Sequence, residues 1–92
     1  MNKPINIGDS VLIISKTTGT YQNKTFLEKL RRQFEDESVL FPLTALVTQI
    51  EKENSKDIYI CTVFYKDKES KGWRFIVQDI QKETILINGC VV

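Results

Sequence analysis

The stretch Ile58-Tyr-Ile-Cys-Thr-Val-Phe-Tyr65 decides the fold class. β-Branched and aromatic residues dominate it, the composition of a pleated strand. Ile58, Ile60 and Phe64 fall on one side of such a strand, and Tyr59, Cys61, Val63 and Tyr65 on the other. An antiparallel strand wetted on one face would carry polar residues at alternate positions. Both sides of this strand are apolar, so both need cover. The second side is covered either by the chain's one helix or by a partner, and the helix is the expected cover.

Two further strands flank this one. Leu43–Ile50 is rich in Thr and Val, and Trp73-Arg-Phe-Ile-Val-Gln-Asp-Ile80 follows Gly72. The polar segments Glu51–Lys56 and Lys66–Lys71 between them read as loops too long for two-residue hairpins. Upstream, the turn signal Gly8-Asp9 precedes Val-Leu-Ile-Ile at 11–14, the first strand, within a segment spanning Ile5–Ser15. Lys16–Asn23 has a loop composition, and a short closing strand, Thr84–Ile87, ends at Asn88-Gly89.

One segment changes period. Phe26, Leu30 and Phe34 recur at every fourth residue, with Leu27 on the same side, which predicts an amphipathic helix. Thr25-Phe-Leu-Glu28 fits a capping box at its start. Glu35-Asp-Glu37 opposes the helix dipole at its end, so the helix is expected to stop near Phe34. Pro42 makes Val39–Pro42 an extended link.

One strand, a long excursion, a three-strand meander and a short closing strand make five. This order resembles a small Src-homology-3-like β-barrel of the KOW and Tudor type. Ile7-Gly-Asp-Ser-Val-Leu-Ile13 looks like the Gly-Asp-x-Val-x-Ile entry strand of such barrels. The resemblance implies a mainly β fold: a five-stranded barrel, or a strongly bent antiparallel sheet, with one short helix inserted at about residues 25–35. The aromatic ALYDY-like segment of peptide-binding members is absent, and the excursion holds a helix instead of an acidic loop. Recognition of proline-rich peptides is therefore carried over to no residue here. An α+β sheet with one helix packed on it is the competing architecture.

Composition bounds the chemistry. The 92 residues make one domain, 1–92, with 13 basic against 12 acidic side chains and a net charge of +1. No global field draws in nucleic acid, membrane or an acidic partner. The start, Met1–Ser10, has no apolar run resembling a secretory signal, and no stretch approaches a membrane span, so a cytoplasmic location is expected. Cys61 and Cys90 form no CxxC pair and are expected to be reduced and unbridged. With no histidine in the chain, the commonest general base and a usual zinc ligand are missing. The glycines make no phosphate-binding loop. The reading is no enzyme, no metal and no cofactor, with no catalytic residue assigned. Asp9, after Gly8, fits turn chemistry. Asp79 follows Trp73, Phe75 and Val77 at alternate positions, but the strand face is expected to turn outward there.

Binding surfaces survive as candidates. Tyr59, Tyr65 and Trp73 supply more aromatic surface than a small barrel interior requires. Lys66, Lys68, Lys71 and Arg74 cluster beside them around the 66–72 hairpin, a pattern that single-stranded nucleic-acid binders use. Asp67 and Glu69 alternate with the lysines and cancel half that charge, which favours an ordinary solvated hairpin tip. The expected function is a non-catalytic interaction module for a protein partner. The alternatives are a nucleic-acid-binding barrel module, or a small accessory or inhibitor protein of a phage or mobile element. An aromatic face could also close on itself as a homodimer.

Overall fold

A computed structural model describes residues 4–17, 19, 22–82, 86–87 and 90–91 of the chain. Its elements are β1 (Ser10–Ile13), α1 (Asn23–Phe34), β2 (Leu43–Glu53), β3 (Lys56–Tyr65), β4 (Lys68–Phe75), a 3-10 turn (Val77–Asp79), β5 (Ile80–Lys82), β6 (Leu86–Ile87) and β7 (Cys90–Val91). β1 to β5 form one antiparallel sheet in the order β4-β3-β2-β1-β5, and β6 pairs only with β7. The protein is mainly β, as the sequence predicts. The sheet is open: β5 has three residues, all paired to β1, and no ladder joins β5 to β4. The chain is one open antiparallel sheet with one helix packed on it, and the expected closed barrel does not describe it.

The hairpins correct the expected loops. Glu51 to Glu53 and Lys56 to Asp57 extend the strands, because cross-strand pairs Lys52↔Asp57 and Glu53↔Lys56 set opposite charges beside each other. Asn54 and Ser55, at φ 52° and 66°, then make a two-residue turn of the primed kind, whose twist matches the flanking strands. Lys66-Asp67 turns β3 into β4 just as tightly, with Tyr65 opposite Lys68. The expected strand from Gly72 to Ile80 is split. It ends at Phe75, and Asp79 folds a 3-10 turn by accepting from the Ile76 N–H at 3.4 Å. The closing strand is Ile80–Lys82 rather than Thr84–Ile87, of which Leu86–Ile87 is β6; residues 84 and 85 lie outside the described residues.

The helix starts two residues before Thr25, at Asn23, with no side-chain bond capping it, so the expected capping box does not mark its start. Asn23 instead accepts from the Lys16 N–H at 2.6 Å, tying the helix entry to the segment after β1. The expected end is correct. Glu35 is left-handed (φ 54°), and the Glu35 and Asp36 N–H groups close back on the Arg32 and Arg31 carbonyls.

Phe26, Leu30 and Phe34 are buried on one face of the sheet among Val11, Ile13, Ala45, Val47, Cys61, Val63 and Phe75. Phe26 meets Trp73 and Phe75 edge-on, at 4.8 and 5.7 Å between centroids. A bulge in β4 sets Lys71 and Gly72 against Thr62, so that Ser70 and Trp73 both face the helix; Gly72 supplies the required φ of 81°. One layer of helix on one layer of sheet gives a slab 18 Å thick.

Candidate functional site

The predicted aromatic residues, Lys66 and Lys68 come together at the helix–sheet joint, whereas Lys71 and Arg74 pair with carboxylates of the sheet. Tyr59 is buried, 6% exposed, and burial raises its phenol pKa. Tyr65 stacks on Phe34 at 5.8 Å and shares a 2.7 Å hydrogen bond with the Ser38 hydroxyl. Trp73 donates its indole N–H to Ser70 Oγ at 2.6 Å, and Ser70 donates on to Gln33 at 2.7 Å.

The cations of the hairpin have anionic or carbonyl partners. Lys68 Nζ donates to the Phe34 carbonyl at 2.6 Å, satisfying an otherwise open acceptor at the helix C-terminus. Lys66 pairs with Asp36 at 3.0 Å. Hydrogen bonds from the Ser38 hydroxyl and N–H, then from Lys66, hold the Asp36 carboxyl well below the usual carboxylate range. Arg74 forks between Glu51 and Glu53, each at 2.9 Å, and those bonds raise its pKa. Lys71 has the loosest pairing, 3.7 Å from Glu69, with both side chains at least half exposed. The hairpin therefore offers little uncompensated positive charge to a phosphate.

Sequence reasoning placed Asp79 facing outward, and the structure corrects this: Asp79 is fully buried. It accepts from Ser15 Oγ at 2.6 Å, Thr17 Oγ1 at 2.8 Å and the Thr17 N–H at 3.1 Å. Its carbonyl accepts from the Ile14 and Ser15 N–H groups. Asp79 thus fastens the segment after β1 to the 3-10 turn. Lys16 lies buried alongside, with its ammonium 5.7 Å from the Phe75 ring centre; desolvation lowers its pKa, and Asp79 opposes that shift. Lys16 also lines a shallow 370 Å³ hollow with Thr17, Gln22, Asn23 and Lys24. The loop composition of 16–23 gave no sign of a buried lysine. Asp9 does perform the predicted turn chemistry, accepting from the Asn6 N–H at 2.8 Å.

The second face of the sheet lies away from the helix, and Ile58 and Thr62 on it are buried. Alternation and register set Leu12, Thr44, Leu46, Ile60, Thr62 and Phe64 on the side opposite the helix. Thr44 faces Phe64 across one ladder, and Leu46 faces Thr62. Leu12, Leu46, Ile60 and Phe64 are half-buried by their neighbours within the sheet, and none joins the helix-side core. Among the described residues, no α-helix lies over them. The β4 side of this face is charged: Arg74 lies opposite Ile60 and Glu69 opposite Phe64, and Arg74 pairs with both Glu51 and Glu53. The helix covers the Tyr59, Cys61 and Val63 side of β3 as expected, and the Ile60 and Phe64 side faces away from it.

Among the described residues, no group of three His, Cys, Asp or Glu side chains could hold a metal ion. No helix among them is long and apolar enough to cross a membrane. Comparison with protein families, characterised proteins and solved structures yields no match.

Proposed function

We propose that this domain is a non-catalytic protein-interaction module whose partner docks on the open sheet face. The observation that carries this reading is the group of half-buried apolar residues Leu12, Leu46, Ile60 and Phe64 on the sheet face opposite the helix. A solvated antiparallel face ordinarily alternates to polar residues, and a contiguous apolar patch of several hundred Å² marks an interaction site. The hairpin around Tyr65–Arg74 is less suited, because its rings and cations already hold the helix to the sheet. Asp79 likewise has its acceptor sites occupied by local hydroxyl and N–H donors, which supports a structural role over a catalytic one. The return of β5 to β1 after the β2-β3-β4 meander supports kinship with the Src-homology-3-like class in an unclosed form.

The test is a photo-cross-linking amino acid at Thr44, exposed on the open face, compared with the same group at Lys29 on the helix. The reading expects a discrete protein adduct at Thr44 that disappears with Leu46→Glu. Adducts at Lys29 and none at Thr44 would overturn it.

A further inference from the structure

We draw no further inference here: the strongest candidate, the hollow beside the start of α1 lined by Lys16, Thr17, Gln22, Asn23 and Lys24, rests on a helix N-terminus with no second observation that points to a ligand, the buried Lys16 ammonium lying near the Phe75 ring and Asp79.

Discussion

Val63 and Phe64 are neighbours in the chain with opposite surroundings. Val63 lies beneath the helix with no exposed surface, while Phe64, larger and more apolar, sits half-buried on the side of the same strand away from the helix. The two faces of β3 are matched in hydrophobicity, yet only one contributes to the core that Phe26, Leu30 and Phe34 complete. Apolar content alone thus does not distinguish the helix-side core from the face outside it. Cover does, and a single 12-residue helix covers one face.

Leucine truncation on the two faces should break the symmetry of composition most sharply. Leu30→Ala should cost about 2–5 kcal/mol, the range for a leucine removed from a packed core. Leu46→Ala, measured in dilute monomer, should cost less than about 1 kcal/mol, because its side chain is already partly wet. Urea midpoints at unchanged slope give both values, and equal losses would abolish the distinction between the faces.

Asp79→Ala should come next. The buried carboxylate accepts from Ser15 and Thr17 in a part-buried network, and losing these bonds should cost toward the lower end of about 1–3 kcal/mol. Protease cleavage in the segment after β1 should increase in this variant, and a stability equal to wild type would show that the fastening is dispensable.

Alkaline titration sharpens the contrast through Cys61, on the covered side. Burial pushes its thiol from 9 up to about 12. A raised folded-state pKa favours folding below 9, and this contribution is lost as the pH climbs from 9 toward 12. Lys16 has the opposite sign: desolvation lowers its pKa below 10.5, so its contribution grows with pH up to that value. Cys61→Val should therefore flatten the alkaline decline, and an unchanged decline would place its cause elsewhere.

The smallest effect is expected at the hairpin tip. Lys71→Ala removes only an exposed 3.7 Å pair and should change stability by less than about 0.5 kcal/mol. Oligonucleotide binding at physiological salt that vanished when Lys66, Lys68, Lys71 and Arg74 were neutralised would shift the functional surface to this hairpin.

Much of the fold was legible from period and composition. The stripe of Phe26, Leu30 and Phe34 located the helix and its buried face, and the β-branched runs located β1 to β3. Hairpin ends were misread because charge was taken as loop, whereas Lys52↔Asp57 and Glu53↔Lys56 are cross-strand pairs. Closure was misread because it depends on β5, whose three residues carry almost no local signal. Asp79 was missed for a related reason. Its burial comes from a 3-10 turn that ends the strand alternation, and from Ser15 and Thr17, more than 60 residues away in sequence. Both-sided hydrophobicity of β3 was visible from the start, but which side the helix left bare was a tertiary fact.

Thiol accessibility on the two sides of β3 tests this account most directly. In a Cys90→Ser background, Phe64→Cys places a thiol on the open side, three residues from native Cys61 on the covered side. In dilute protein, alkylation near neutral pH should be rapid at position 64 and negligible at Cys61 until unfolding. Slow labelling at position 64 in dilute, folded protein would mean that the face is already covered by the chain itself, and the central claim would fail.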